Sequence, residues 1–319
     1  MSEVYQFIPP YPIKTAVLLL VFNRLETTKQ VFEAIRQVKP SRLYIAADGA
    51  RADKEHESEK VQCVRDYVML NIDWECELKT LFRDQNLGCK YAVSGAISWF
   101  FENEEQGIIL EDDCLPSQSF FWYCEELLER YRDDDSVYLV SGYSRAPDFL
   151  ELNEDYGFCK YPMIWGWASW SRVWKNYDPE LHDWPNQRAT LPSSISSYQP
   201  TVKFWKTTFE QMFNKEVDTW DYQLSYLVLK KNGKCIVPKL NLITNIGFGA
   251  DATHTFSPEA EVANNVRYEI NIPMLHNLSS DSEKRLNDFY DRYVFSSKTF
   301  IGNVIDRFLK STVGKNIFQ

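Results

Sequence analysis

Gly107-Ile108-Ile109-Leu110-Glu111-Asp112-Asp113-Cys114-Leu115-Pro116 is the stretch whose reading decides the fold. The apolar run Ile108 to Leu110 has the length and character of a strand buried inside a sheet. Glu111, Asp112 and Asp113 follow it at once, which puts three carboxylates at the C-terminal edge of that sheet, where open α/β folds bind their ligands. Adjacent carboxylates repel one another unless something cationic sits among them. A hard divalent cation carrying a diphosphate meets that need. The plain alternative is a turn that happens to be acidic.

Working outward, strand and helix patterns alternate. Residues 15–22 read as a buried strand, followed by a helix over 27–38 with Val31, Ile35 and Val38 on one stripe. Residues 42–47 form the next strand and end at Asp48-Gly49. A charged loop over 51–59 leads to a helix carrying Val61, Val64 and Val68. Residues 78–82 are a strand, and Asn86-Leu87-Gly88 turns into a helix with Ala92, Val93, Ala96, Ile97 and Phe101. After the acid-tipped strand, Ser119 is expected to cap a helix reaching about 132, and 137–140 is a further strand. This order predicts an α/β fold: a mostly parallel, Rossmann-like sheet flanked by helices on both faces. From Ser141 the pattern breaks. Residues 142–219 are aromatic and irregular and are expected to be loops and short helices over the sheet edge. A helix is expected over 220–231, a short strand over 235–238 and a Gly-rich loop over 246–255. The expected organisation is 1–145 as the ligand-binding half, 146–280 as the acceptor-side and catalytic half, and 281–319 as a helical tail.

Composition bounds the function. A chain of 319 residues can bury a large core, and 44% hydrophobic with 25% charged residues is ordinary for a soluble enzyme. Aromatics reach 15% with ten Trp, whose flat apolar faces suit sugar binding as well as core packing. A net charge of −10 argues against a nucleic-acid partner bound by bulk electrostatics. The seven Cys form no CxxC pair, so a zinc site is not expected and the thiols read as reduced and largely buried in a cytoplasmic protein. No signal-peptide or membrane-spanning pattern is present near the start of the sequence.

Parallel strands point their C-terminal ends the same way, so Phe22-Asn23-Arg24, Asp48-Gly49 and Glu111-Asp112-Asp113 should converge. Asp48 can accept hydrogen bonds from a base or ribose. Arg24 can pair with phosphate or brace the acids. GxGxxG and GxxxxGK[ST] are both missing, so a cation on Asp113 would hold the phosphates instead.

With these stretches in view, the first half resembles the nucleotide-sugar-binding half of GT-A glycosyltransferases. It is most similar to the N-acetylglucosaminyltransferase I type and to bacterial relatives of the family-2 type. The matching stretches are Val21-Phe22-Asn23-Arg24, Ala47-Asp48-Gly49, Asn86-Leu87-Gly88 with the Lys90 helix, and Ile109-Leu110-Glu111-Asp112-Asp113 with Pro116 and Phe120-Phe121. The resemblance implies that Asp113 ligates Mn²⁺ or Mg²⁺ and that Glu111 and Asp112 contact ribose or donor sugar. It also implies that Phe22, Arg24, Asp48 and Lys90 serve the nucleotide-sugar. It covers roughly 14–145 and is patchy beyond.

The chemistry this implies is metal-dependent, inverting transfer from a nucleoside-diphosphate sugar, UDP being the family-typical carrier, to a glycan or lipid-linked glycan acceptor. Bacterial surface-polysaccharide synthesis is the expected setting. Such a reaction needs a base for the acceptor hydroxyl, and Asp221, between Trp220 and Tyr222 at a helix start, is the candidate, with Asp218 as its rival. Trp165, Trp167 and Trp170 form an aromatic patch whose rings could floor the acceptor. His254, in a Gly-rich loop, could close over the diphosphate or complete the metal shell. In the tail, Phe300, Ile301, Val304, Ile305, Phe308 and Leu309 recur at helical spacing, which suits packing on the domain, a homodimer, or peripheral contact with an inner-membrane surface. A sugar-1-phosphate nucleotidyltransferase is the alternative enzyme, although Phe22-Asn23-Arg24-Leu25-Glu26 lacks the glycines of its usual phosphate loop. A non-catalytic sugar-binding module would need the aromatic patch without the acidic strand end.

Overall fold

Six consecutive apolar residues form the central strand Ala16–Val21 (β1), and all six are buried. The computed structural model describes residues 7–146, 154–248, 265–276 and 280–296. β1 leads into Leu25–Val38 (α1), which buries Val31, Phe32, Ile35 and Val38 on one stripe. The helix stops at Lys39, whose left-handed backbone returns its N–H to Ile35 O. Arg42–Ala47 (β2), Glu57–Leu70 (α2), Glu77–Phe82 (β3) and Gly88–Asn103 (α3) follow in strict alternation. Gln106–Glu111 (β4) is the acid-tipped strand. It runs parallel to β1 with Glu111 opposite Leu20, and β1 and β2 pair with Val21 opposite Ala47.

After β4 come Cys114–Pro116 (β5), Ser119–Arg130 (α4) and Val137–Ser141 (β6). Then come Tyr156–Cys159 (β7), Trp167–Trp170 (β8), Ser171–Trp174 (α5), Trp184–Gln187 (α6), Leu191–Ile195 (α7) and Gln199–Phe213 (α8). Asp221–Lys230 (α9), Lys234–Pro238 (β9), Ile243–Asn245 (β10) and Ser280–Phe289 (α10) complete the order, with a π-helical turn at Tyr290–Val294. Among the described residues the main sheet has eight strands in the order β3-β2-β1-β4-β8-β6-β9-β7. It is mostly parallel and flanked by helices, and only β8 and β7 run against their neighbours. β10 and β5 form a separate antiparallel pair.

Two expectations are corrected. Residues 142–219 are not only loops and short helices. β8 sits in the middle of the sheet between β4 and β6, β7 forms one edge, and α8 is a 15-residue helix. The Trp-Ala-Ser-Trp run reads as loop because its alternation spans only four residues, yet both faces are covered and all four are buried. Ser119 does not cap α4. The amides of Gln118 and Ser119 instead meet the carboxylate of Glu269, 3.0 and 2.7 Å away and about 150 positions on in the chain. All seven cysteines are free. Among the described residues no helix is long and apolar enough to cross a membrane. The apolar tail over 300–309 lies outside the described residues.

Candidate active site

The parallel order β2-β1-β4 brings three strand ends side by side: Asp48 after β2, Phe22 to Arg24 after β1, and Glu111 to Asp113 at the tip of β4. The acids are tied to the neighbouring strand. The Phe22 amide donates to Asp112 Oδ2 at 3.3 Å. Arg24 spans the pair, donating from Nη2 to Asp112 and from Nη1 to Asp113 Oδ2 at 2.9 Å. A planar guanidinium suits this two-carboxylate bridge, which a point-charge ammonium would not reproduce. Of the two roles open to Arg24, bracing the acids is the one the structure displays. Burial works against its charge, but Asp112 and Asp113 outweigh it and hold the guanidinium above its ordinary pKa.

One guanidinium does not balance three carboxylates. Burial, then Asp113 and Asp112, push the Glu111 carboxyl well above the usual range, with Arg24 opposing. Burial likewise raises Asp112, against the pull of Arg24. The residual negative charge suits a hard cation. Asp113 has spare acceptor capacity, because Arg24 takes one oxygen and the Cys114 thiol approaches the other at 3.4 Å. Among the described residues no group of three His, Cys, Asp or Glu is arranged to hold a metal ion. A cation here would therefore draw part of its shell from a ligand such as a diphosphate. The loop above is shaped for a close approach. Ile246 N donates to Asp113 O at 2.8 Å, and a Cβ on Gly247 would lie 2.2 Å from Asp113 Oδ2 and 2.8 Å from Arg24 Nη1. The β5–β10 ladder delivers Gly247 to that spot.

Asp221 opens α9 close enough to Glu111 for their charges to interact, and Thr219 donates its hydroxyl to Asp221 Oδ1. A buried aromatic floor carries it. Trp167 lies opposite Ile109 in the β4–β8 ladder and stacks on Trp220 with centroids 5.7 Å apart and planes 22° apart. Tyr177 stacks on Trp174 and donates its hydroxyl to Trp220 O at 2.9 Å. Trp167 is only 1% exposed, so it supports Asp221 from below and offers no face to an acceptor. Trp170, at 2%, is equally enclosed. Trp165 is half-buried, 4.5 Å from Tyr143 and edge-on to Phe248 at 6.0 Å, beside the Gly247 loop. Gly166 makes this approach possible, since its φ is +60° and a Cβ there would strike Ile243 at 2.5 Å.

Two other expected ligand contacts are internal. Lys90 Nζ pairs with Glu180 at 2.8 Å and is almost fully buried. Hydrogen bonds from Lys90, Lys215 and Tyr91 hold Glu180 down to about 2. Asp48 takes the Asn86 side-chain amide at 2.9 Å and the Leu87 amide at 3.0 Å, so its carboxylate braces the 86–88 turn. His254 lies outside the described residues. Two features escaped the sequence reading. Buried Glu57 gathers the Asn23 amide at 2.9 Å, the Arg51 backbone N–H at 2.8 Å and the Arg51 guanidinium, which itself lies 5.6 Å from the Phe22 ring centroid. Asp218 accepts the amides of Cys89 and Lys90, both at 2.9 Å, so its carboxylate is engaged at the start of α3. The Asn23–Glu57 and Asp218 contacts are not visible in the sequence, because those partners lie 34, 129 and 128 positions apart along the chain, whereas Arg51 and Glu57 are six apart.

No family model matches the chain, and no curated protein does. Among solved structures it is similar to the mannosyltransferase PcManGT from Pyrobaculum calidifontis, determined with GDP-Man and Mn²⁺: 12% identity over 72% of each chain, TM-score 0.39. It is also similar to mouse xyloside xylosyltransferase 1, at 8% identity over 69% of this chain and 82% of that one, TM-score 0.33. A third is the glycosyltransferase GlyE of Streptococcus pneumoniae TIGR4, at 12% identity over 70% of this chain and 45% of that one, TM-score 0.30. The overlaps are partial, and the functional reading rests on the geometry of the site itself.

Proposed function

We propose that the protein is a glycosyltransferase. It would move a sugar from a nucleoside-diphosphate donor, with Mn²⁺ or Mg²⁺, to a hydroxyl of a glycan or lipid-linked glycan, inverting the anomeric centre. The observation that carries this reading is the β4 tip: three adjacent carboxylates, two of them, Asp112 and Asp113, bridged by the Arg24 guanidinium, with Asp221 in the same electrostatic neighbourhood. Asp113, with Glu111 beside it, would hold the cation, whose chemistry is to neutralise charge on the departing diphosphate. Arg24 keeps Asp113 in place and limits repulsion among the acids. Phe22 and Arg51 line the adjoining strand ends, next to where a nucleotide would extend. Trp165 offers a partly exposed ring for the apolar face of an acceptor sugar. Asp221 accepts the proton of the acceptor O–H as the oxygen attacks, and the resulting carboxylic acid is held by the Thr219 side chain. Attack on the face opposite the leaving group yields inversion, and negative charge nearby favours the oxocarbenium-like transition state.

The test is Asp221→Asn assayed on UDP- and GDP-sugars with Mn²⁺. Donor affinity should stay within about threefold while turnover falls on the order of 10² or more. Turnover near wild type would remove Asp221 from the mechanism. Pyrophosphate release from a nucleoside triphosphate plus a sugar phosphate would replace the reading with nucleotidyl transfer.

A further inference from the structure

α3 begins at Gly88, and the residue before it, Leu87, has no side-chain acceptor for the first amides of the helix. Asp218 supplies one from the far half of the chain. Its Oδ2 accepts Cys89 N and its Oδ1 accepts Lys90 N, each at 2.9 Å, across 129 and 128 positions of sequence. The position is also favourable to charge, since a carboxylate there faces the positive end of the helix dipole. Gly88 is adapted to the contact: its φ is +78°, and a Cβ would come within 2.7 Å of Asp218 Oδ2.

Asp218 lies in the connection between α8 and α9, three residues before Asp221. The far end of this short segment is fixed by the stacking of Trp220 on Trp167 and by the Tyr177 bond to Trp220 O. Between the two anchors, Thr219 donates to Asp221 Oδ1, and the Thr219 carbonyl accepts Gln223 Nε2 at 2.8 Å. The segment carrying Asp221 is therefore pinned at one end to the sheet and at the other to α3, a helix of the half that bears Asp48 and the β4 acids.

We propose that Asp218 is a positioning residue: by clamping the 218–221 segment to the first amides of α3 it fixes the distance between the Asp221 carboxylate and the donor side of the site. This rests on the reading of Asp221 as the base. A displacement of about 1 Å in a reacting group can cost about a hundredfold in rate.

The experiment compares Asp218→Ala, Asp218→Asn and Asp221→Asn in the full chain. Three measurements are made on each: nucleoside-diphosphate release from UDP- and GDP-sugars with Mn²⁺, calorimetric binding of the same sugars, and hydrogen exchange over 86–92 and 217–224. Asp218→Ala should lower kcat about 10- to 100-fold with donor KM within about threefold, and exchange should speed up in both segments. Asp218→Asn keeps an oxygen that accepts one of the two N–H bonds, so it should stay within about fivefold of wild type. Unchanged protection of 217–224 in Asp218→Ala would overturn the clamp whether or not turnover is measured. So would unchanged kcat. An Asp218→Asn variant as inactive as Asp218→Ala but normally protected would make Asp218 the proton acceptor, which also overturns the proposal. Near-normal turnover of Asp221→Asn is the separate signature that the base assignment itself has failed.

Discussion

Replacing Arg24 by Met removes the guanidinium that pairs with Asp112 and Asp113 while keeping most of the side chain's volume. The Asp112 side chain is 4% exposed and that of Arg24 19%, so the pair is too enclosed for water to substitute for the lost partner. Breaking a buried pair from one side typically costs about 3–5 kcal/mol. Asp112 keeps its hydrogen bond from Phe22 N at 3.3 Å, so the lower end applies, ~3 kcal/mol. In a chain of 319 residues that corresponds to a melting shift of roughly 4–5 °C. The deficit should depend on pH. Burial already raises the Asp112 carboxyl above its unfolded value of 3.8, and loss of Arg24 raises it further. A carboxyl raised in the folded state contributes full stability below its unfolded value and loses it as pH climbs through the folded value. The Arg24→Met deficit should therefore shrink as the pH is lowered from neutral toward about 5. Arg24→Lys, which keeps a charge but cannot span both acids, should fall between. Thermal unfolding of the three proteins across pH decides the matter. A cost under about 1 kcal/mol, or a deficit that ignores pH, would refute the view that Arg24 is the charge that holds this edge together.

Two further predictions follow from burial and charge. Trp167→Ala should cost about 3–5 kcal/mol in urea unfolding, because its ring is sealed in the sheet, whereas Trp165→Ala should cost less than about 2; equal costs would undo their separation into floor and surface. Glu111 is pushed from 4.5 to about 8. With its folded value raised, its stabilising contribution is complete below 4.5 and is lost as pH rises through about 8. Protons and a divalent cation compete for this carboxylate cluster, so the melting shift produced by Mn²⁺ should be larger at pH 8 than at pH 6. A shift that does not vary with pH would place the cation elsewhere.

The legible part of the molecule is the part governed by local pattern. The apolar runs of β1, β2 and β4, and the i, i+3, i+4 stripe of α1, announce themselves because burial on both faces or on one stripe leaves a periodic trace. The convergence of Phe22-Asn23-Arg24 with Glu111-Asp112-Asp113 follows from parallel pairing alone, and so does the option that Arg24 braces the acids. β8 was hidden because a four-residue strand with tryptophan at both ends looks like an aromatic surface patch. α8 had a helical stripe in Phe204, Trp205, Thr208, Phe209 and Met212, but the polar and β-branched residues between them blurred it. What sequence cannot supply is pairing at long range. Lys90 with Glu180, Glu57 with Asn23, and Asp218 with the α3 amides are fixed by tertiary packing, and each engages a side chain that the sequence leaves without a partner.

The central claim is that Asp113 grips a cation that grips a diphosphate. Calorimetry of UDP and GDP binding with and without Mn²⁺, on the wild-type protein and on Asp113→Asn, tests it most directly. The account predicts Mn²⁺-dependent binding that weakens by about tenfold or more in Asp113→Asn, about 1.4 kcal/mol. Binding that needs no divalent cation, or that survives the substitution at full strength, would contradict it.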